Sequence, residues 1–407
     1  MSRIAAGLLI ALTLIAGILI GGTLGSPSPS LSRSPDSALA GATSAPSATP
    51  SAPTASPAPT PTPTPSPTPS PTPVPTPVLV AAPLTGQLVT PALAQRHVVA
   101  VMIDDLAAAR PQSGLSSADV VWQAPAEGGI PRYMALFQTG DPPAVGPVRS
   151  SRLYFIAWAA EWNAVYVHVG GSPQALALLH SSQGKGRVVF DADEFRWGGR
   201  YLWRIKTRLA PQNVYSDAAH LQSLARAVGA KTVDATPVWQ FAPDADLAMR
   251  PKGGTITVPY LANRITYAYD RASNRYLRSV SVEGKQVDAG TNQRIGPKNV
   301  VVMAMSFAPL NDGTQKHRLE AQFTGSGVAY IATNGTTVKG TWKKKSMTAP
   351  TLFYGPDGKP VTLTIGQTFV QVVQRGTVIT VKDGRIPPRP IRPAASGHVD
   401  PDGPLAQ

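Results

Sequence analysis

The chain has 407 residues, a formal net charge of +14 and no cysteine, which excludes a disulfide framework and a thiolate-bound zinc site. The length is sufficient for two ordinary domains in addition to a low-complexity segment. The positive charge favours anionic partners. Nucleic-acid binding is not expected, because apart from Lys343–Lys345 the basic residues are scattered and no known nucleic-acid-binding module is present.

Residues 1–25 predict a membrane anchor. Residues 4–24 carry no charge and are long enough to cross a bilayer, which requires roughly 20 apolar residues. A cleaved signal peptide has a shorter apolar region and a small-x-small cleavage site, of which Thr23–Gly25 is a poor version. We therefore favour an uncleaved, single-pass signal anchor over cleavage, with Arg3 in the cytoplasm and the bulk of the chain extracytoplasmic.

Residues 26–80 predict a disordered linker. Seventeen of the 42 prolines fall between Ser26 and Val78, and from Pro57 to Pro77 every second residue is proline. Such a segment cannot bury a core and favours the extended polyproline conformation. At about 3.1 Å per residue, the alternating stretch reaches roughly 65 Å. It is either a stalk that lifts the following domains through the cell wall or a simple tether.

Residues 83–235 predict an N-terminal α/β domain. Ser172 followed by Pro173 is typical of a helix start, with the serine as N-cap and the proline at the first helical position. Interleaved strands and helices indicate an α/β layer. Strands are expected at Val98–Ile103, Asp119–Gln123, Tyr133–Gln138 and Ala164–Val169, and helices at Ser150–Trp162, Ala175–Ser182 and between Ser216 and Gly229. The first of these helices is expected to be amphipathic and capped by Ser150 or Ser151.

Residues 245–384 predict a mostly antiparallel, β-rich C-terminal domain, because short runs of β-branched and aromatic residues follow one another without a convincing helix. Asn334-Gly335 is a strong hairpin signal and Glu283-Gly284 a weaker one. Residues 385–407 are expected to be a disordered tail. The fold class is therefore mixed, α+β or α/β.

Charged and glycine residues are concentrated between Asp104 and Ser172. Guanidinium groups suit carboxylate or phosphate ligands, and a helix N-terminus preceded by glycines suits an anion. The alternatives are internal ion pairing with Asp104, Asp119 and Glu127 and a plain capped helix. The candidate ligand-binding residues of this stretch are Arg110, Arg132, Arg149, Arg152, Gly170, Gly171 and Ser172.

His168 is a candidate catalytic residue. With Asp104 or Glu127 it could form an acid–base pair, although a lone histidine inside a strand is more often a buried, hydrogen-bonded side chain. The sequence contains no Gly-x-Ser-x-Gly elbow, phosphate loop or dinucleotide fingerprint. No cofactor and no metal site are therefore expected.

Several motifs in the same order resemble the YerB-like family of bacterial extracytoplasmic proteins: Arg110–Leu115, Ala118-Asp119, Glu127–Gly129, Gly146–Ser150, His168–Ser172, Gly340–Lys343 and Gly366–Val373. The resemblance spans about residues 83–375. It implies a two-domain envelope protein, often a lipoprotein, of a family classed as of unknown function.

The chain departs from this family pattern in two places. Members commonly carry a lipid-modified cysteine, whereas this chain has none, so its anchor must be the apolar segment. The family pattern also has a histidine before Asn213, where this chain has Gln212, which argues against an essential histidine base at that position. Asn213 itself is a further candidate ligand-binding residue.

Three functions remain open from the sequence. The chain is a membrane-anchored envelope protein that binds an anionic cell-wall ligand or a partner protein through a cleft in its N-terminal domain. Alternatively, it is a cell-envelope hydrolase or transferase that uses His168 with Asp104 or Glu127, or a non-catalytic envelope scaffold. Whether it is an enzyme is left undecided at this point.

Overall fold

The computed structural model describes residues 78–232 and 237–386. The predicted membrane anchor, nearly all of the predicted linker, the domain boundary near residue 235 and the tail beyond residue 386 lie outside the described residues. Among the residues that are described, no helix is long and apolar enough to span a membrane.

The helices and strands of the described residues are named here in chain order. The helices are α1 Pro91–Ala94, α2 Leu153–Ala160, α3 Pro173–Ser181, α4 Glu194–Trp197 and α5 Ala218–Ala227. In the first half, the strands are β1 Val80–Ala81, β2 Leu88–Val89, β3 Val99–Asp104, β4 Val120–Pro125, β5 Pro131–Phe137, β6 Val165–His168, β7 Phe190–Asp193, β8 Trp203–Arg204 and β9 Val214–Tyr215.

The second half contributes most of the strands. They are β10 Gln240–Ala242, β11 Thr255–Pro259, β12 Arg264–Asp270, β13 Arg275–Val280, β14 Gly284–Lys285, β15 Asn299–Met305, β16 Phe307–Pro309, β17 Leu319–Ala321, β18 Gly325–Thr333, β19 Thr336–Lys344, β20 Leu352–Tyr354, β21 Thr362–Thr364, β22 Thr368–Gln374 and β23 Thr380–Lys382. The described fold is thus rich in strands, and most of its strand pairs are antiparallel.

One ten-stranded sheet forms the centre of the molecule, in the order β20-β19-β18-β15-β22-β4-β5-β3-β6-β7. Five of these strands come from each half of the chain. The halves join where β22 runs parallel to β4, with Thr368 opposite Val120. The two regions predicted as separate domains therefore share a single sheet and its backbone hydrogen bonds. A second sheet has five strands, in the order β14-β13-β12-β11-β23.

Helix α2 differs from the predicted helix in its start and in its exposure. The expected span began at Ser150 with a serine cap, but the helix starts at Leu153, and Arg152, at the N-cap, forms no side-chain cap hydrogen bond. All its residues except Leu153 are buried, and the ring of Trp158 stacks on that of Trp122 at a centroid distance of 4.6 Å. The helix is therefore not amphipathic, because it packs inside the molecule rather than on its surface.

Helix α3 begins as predicted. Ser172 is the N-cap, its Oγ accepts a hydrogen bond from the N–H of Ala175 (3.4 Å), and Pro173 is the first helical residue. Strands β6 and β7 on either side of α3 are parallel, so the three elements form a βαβ unit. This unit holds Gly171 and Ser172 at the carboxyl end of β6.

The hairpin predicted at Asn334-Gly335 joins β18 and β19, where Thr333 pairs with Thr336. Both turn residues have positive φ, 49° and 79°, as a two-residue hairpin turn requires. The weaker signal at Glu283-Gly284 also falls at a hairpin, between β13 and β14, but the turn consists of residues 281–283. Gly284 already pairs with Val280 as the first residue of β14.

We expect Gly335→Ala to lower the free energy of unfolding by about 2 kcal/mol. The alanine would have to adopt the positive φ of Gly335, and its Cβ would lie 2.3 Å from a ring carbon of Tyr269. Gly358→Ala is the matched control, because Gly358 has a similar φ of 74° but no atom within 4 Å of the point that its Cβ would occupy. Urea denaturation of both variants measures the difference, and equal losses would show that the contact with Tyr269 is unimportant.

Candidate functional site

A cleft of about 420 Å³ lies beside the carboxyl end of β3. Its lining contains five basic side chains and two carboxylates. We call it the arginine cleft, and its lining residues are Asp104, Leu106, Glu127, Ile130, Arg132, Arg149, Ser150, Arg152, Gly171, Lys316 and Arg318.

Strand pairing brings the first charged residues of the cleft together. Asp104 is the last residue of β3 and lies directly opposite Arg132 of the antiparallel strand β5. Glu127 is in the turn between β4 and β5, and Arg149 and Arg152 precede helix α2. The candidate residues predicted near strand ends therefore do converge at one edge of the sheet.

Each arginine of the cleft has an acidic neighbour. Arg149 Nε lies 2.9 Å from Asp104 Oδ2, and Arg132 Nη2 lies 2.9 Å from Glu127 Oε2. Glu127 also pairs with Arg152 and lies 3.8 Å from Nε of Arg318. A single carboxylate thus serves three guanidinium groups, and positive charge exceeds negative charge in the lining.

Burial makes this positive charge costly. The side chains of Arg132 and Arg152 are only 8% and 3% exposed. The pKa of Arg132 is lowered to about 10, mainly by burial; the charge of Asp104 opposes this shift and that of Arg149 contributes to it. Burial likewise lowers the pKa of Arg152 to about 10, and the charge of Arg318 acts in the same direction. Both groups remain cationic at neutral pH, in a setting that an added anion would stabilise.

Some hydrogen-bond donors in the cleft are not satisfied by the described residues. Nε of Arg152 and Nε of Arg318 are buried and have no hydrogen-bond acceptor there. Arginine offers five donors in a planar fork that matches the oxygens of carboxylate or phosphate. The cleft can therefore supply both charge and directed hydrogen bonds to an anion.

Two residues of the second half complete the cleft and were not among the sequence candidates. Arg318 precedes β17 and pairs with Asp312 as well as approaching Glu127. Lys316 is exposed and forms no ion pair with the described residues. No sequence motif marked either residue, because both lie far along the chain from Asp104 and Arg132, in the second half.

His168 is fully buried, and its ring is held by residues other than the proposed acidic partners. Nδ1 lies 2.8 Å from the carbonyl oxygen of Gly170, and Nε2 lies 2.8 Å from Oδ1 of Asp191. The structure does not bring His168 into hydrogen-bond contact with Asp104 or Glu127. Within residues 78–232 and 237–386, no three His, Asp or Glu side chains converge as metal ligands would.

The glycine pair before α3 is partly used by the fold itself. The N–H of Gly170 donates to Asp193 Oδ1 (3.0 Å), and its carbonyl accepts from the N–H of Ser151 (2.9 Å). Gly171 lines the arginine cleft, whereas the hydroxyl of Ser172 caps α3. Of the predicted anion-binding unit, only Gly171 therefore contributes to the lining.

Two further candidates lie outside the cleft lining. Arg110 Nε donates to Oδ1 of the buried Asp105 (3.0 Å), and Nη1 donates to Glu283 (2.6 Å), so it links the two halves internally. Asn213 Oδ1 accepts from Arg204 (3.0 Å). The adjacent Gln212 does reach the cleft, since its amide donates to Asp104 Oδ2 (3.2 Å).

Comparison with known proteins assigns the chain to a family. Residues 84–231 match the N-terminal domain, and residues 256–370 the C-terminal domain, of the family described as "Protein of unknown function (DUF3048)". The chain is also 30% identical over 296 residues to "Putative lipoprotein YerB" of Bacillus subtilis (strain 168), across 72% of this chain and 86% of the relative. The chain belongs to this YerB-like family. The resemblance identified from sequence motifs is confirmed.

A solved structure of the family has the same fold. The crystal structure of YerB protein from Bacillus subtilis matches with a TM-score of 0.66 and 26% sequence identity, over 75% of this chain and 100% of that chain. Both matched domains of the YerB-like chain contribute to the arginine cleft: Asp104 through Gly171 belong to the N-terminal match, and Lys316 and Arg318 to the C-terminal match.

Proposed function

We propose that this YerB-like chain is a membrane-attached, extracytoplasmic envelope protein that binds an anionic ligand in the arginine cleft. The description of its Bacillus subtilis relative as a lipoprotein supports attachment to a membrane. Because this chain has no cysteine to carry a lipid, we assign attachment to the apolar residues 4–24. We assign the cleft to the N-terminal α/β domain, with one wall from the C-terminal domain.

The observation that carries this proposal is the surplus of positive charge. Five basic side chains and two carboxylates line the cleft, and burial already lowers the pKa of two of the arginines. Buried charges are expensive unless paired. A carboxylate or phosphate entering the cleft would offset that cost, so the arrangement favours an anionic ligand.

The alternative functions receive less support from these contacts. An acid–base enzyme would need His168 beside Asp104 or Glu127, but both of its ring nitrogens are engaged by Gly170 and Asp191. A pure scaffold would be favoured by complete internal pairing of the cationic groups, whereas Arg132 and Arg152 share Glu127 and Lys316 forms no ion pair with the described residues. A protein partner with an acidic segment remains within the proposal.

We expect glycerol-phosphate oligomers or muropeptides to raise the melting temperature of the wild-type chain. A ligand at a hundred times its dissociation constant stabilises the folded state by about 2.7 kcal/mol. Arg149→Ala and Lys316→Ala each remove one cationic group from the lining and should weaken binding by roughly tenfold or more. Thermal melting across a ligand titration measures both effects.

Arg226→Ala is the matched control, because Arg226 lies on an exposed face of α5 and lines no part of the cleft. It should bind like the wild type. Lys316→Ala tests ligand binding without a folding defect, because this side chain is exposed and makes no ion pair with the described residues. No melting shift with any anionic probe, in all four proteins, would refute ligand binding and leave the scaffold function.

A further inference from the structure

A second cleft, of about 530 Å³, lies next to the arginine cleft and has a different chemical character. Apolar side chains dominate its lining, and one of them, Leu261, is 88% exposed. We call it the apolar cleft, and its lining residues are Pro125, Gly129, Pro259, Tyr260, Leu261, Phe307, Leu319, Val373, Gln374 and Thr377.

The linings of the two clefts adjoin each other at two short segments of the chain. In the turn between β4 and β5, Gly129 lines the apolar cleft and the next residue, Ile130, lines the arginine cleft. At the start of β17, Arg318 lines the arginine cleft and the next residue, Leu319, lines the apolar cleft. The two linings therefore come within one residue of each other in both places, a step of about 3.8 Å between Cα atoms, so a ligand that extends over this ridge can occupy both clefts.

We infer that the natural ligand is an amphiphile, with a phosphate head group in the arginine cleft and a hydrocarbon chain in the apolar cleft. This inference rests on the proposed anion-binding function and names the class of ligand. Small-molecule sites typically have volumes of 300–1,000 Å³ and combine an apolar lining with a few placed polar groups. Each cleft falls in that range, and together they provide the two chemistries of a lipid phosphate.

The charge of the arginine cleft selects phosphate over a single carboxylate. The basic side chains of the lining exceed its carboxylates by three, and the ion pair of Arg318 with Asp312 reduces this surplus to two, whereas one carboxylate supplies one negative charge. A phosphate monoester carries about −1.5 to −2 charges at neutral pH and three strong acceptor oxygens. It therefore neutralises more of the surplus and can engage several guanidinium groups at once.

The apolar cleft selects a lipid over a free wall polymer. Polyol-phosphate and sugar polymers are polar along their length and would leave the surfaces of Leu261, Leu319 and Phe307 in contact with poorly matched groups. A hydrocarbon chain removes that apolar surface from water, which is favourable in proportion to the area buried. For an envelope protein attached to a membrane, the source is a lipid of that membrane.

The test is a chain-length series measured by calorimetric titration of the full chain in one neutral detergent. The probes are inorganic phosphate, butyl phosphate and hexyl phosphate, with 1-hexanol as the uncharged counterpart. We expect each added methylene to tighten the dissociation constant by up to about fourfold, and 1-hexanol to bind far more weakly than hexyl phosphate.

Leu261→Asp and Leu209→Asp are matched variants, because both leucines are 88% exposed and neither substitution disturbs the core. Leu261→Asp should abolish the dependence on chain length and leave the affinity for inorganic phosphate within about threefold of wild type. Leu209→Asp, which alters neither cleft lining, should retain that dependence.

The outcomes separate this inference from the proposed function. Equal affinities for inorganic phosphate and hexyl phosphate, both lost in Arg149→Ala, would overturn the amphiphile and leave anion binding intact. A chain-length dependence that persists unchanged in Leu261→Asp would equally overturn the assignment of the apolar cleft. Failure of every phosphate probe to bind would refute the proposed function together with the inference.

Discussion

We expect Lys344→Met to lower the free energy of unfolding by about 3–5 kcal/mol, because it leaves the buried carboxylate of Glu161 without its cation. The two side chains are 0% and 1% exposed, and Nζ lies 2.8 Å from Oε1. Thr351 also donates to Oε1 (2.5 Å), but Oε2 of Glu161 has no partner among the described residues. Urea denaturation measures the loss.

The pKa shifts of this pair predict what a double substitution will do. Burial raises the pKa of Glu161 and lowers that of Lys344, and in each case it outweighs the attraction of the partner. Both shifts favour the uncharged forms, so the charged pair costs stability near neutral pH relative to an apolar pair. Glu161→Leu combined with Lys344→Met should therefore recover most of the loss caused by the single substitution.

Lys343→Met is the matched control for this pair. Lys343 is the preceding residue of β19 but is exposed, with Nζ 4.6 Å from the ring centroid of Tyr354. Its replacement should cost no more than about 1 kcal/mol. A Lys344→Met variant as stable as wild type, or a double variant no more stable than Lys344→Met, would contradict the argument.

Local chemistry in the sequence predicted many individual elements of the fold. Strand β6 (Val165–His168) lies within the expected range Ala164–Val169, and the cap at Ser172 and the Asn334-Gly335 hairpin also agree with expectation. These features depend on neighbouring residues, which propensity and turn rules describe directly.

The arrangement of the strands could not be predicted in the same way. The join between β22 and β4 pairs residues that are far apart in the chain, Thr368 and Val120. All six residues of β3 are buried, so the strand lacks the polar alternation that would have identified a solvent face. Helix α2 was misjudged for a similar reason, since surrounding elements cover all of its faces.

The candidate site was predicted in part. One cleft is lined by five of the predicted residues: Asp104, Glu127, Arg132, Arg149 and Arg152. They were predicted because charged residues follow apolar strands in this part of the sequence. Sequence spacing alone could not separate these residues from Arg110, which pairs with buried Asp105. It also could not identify Lys316 and Arg318, whose position depends on the long-range join between the two halves of the sheet.

We expect Glu127→Gln to lower the free energy of unfolding and, at the same time, to tighten phosphate binding. Glu127 is the shared acidic partner of Arg132 and Arg152, so its neutralisation leaves these two nearly buried guanidinium groups without an ion pair. The loss should be about 3 kcal/mol, at the lower end for a broken buried pair, because the Glu127 side chain is 22% exposed.

A loss of stability together with tighter phosphate binding distinguishes a ligand site from arginines that only form internal ion pairs. In a ligand site, inorganic phosphate replaces the missing carboxylate, so at a hundred times its dissociation constant it should restore about 2.7 kcal/mol. Asp141→Asn is the control, because it breaks the more exposed ion pair with Arg96. This loss should cost about 0–1 kcal/mol, and phosphate should not restore it. A carboxylate that only holds buried guanidinium groups in place need not leave room for a competing anion. If Glu127→Gln is destabilised and phosphate restores none of the lost stability, the arginines of the cleft therefore serve only to join the two halves of the sheet.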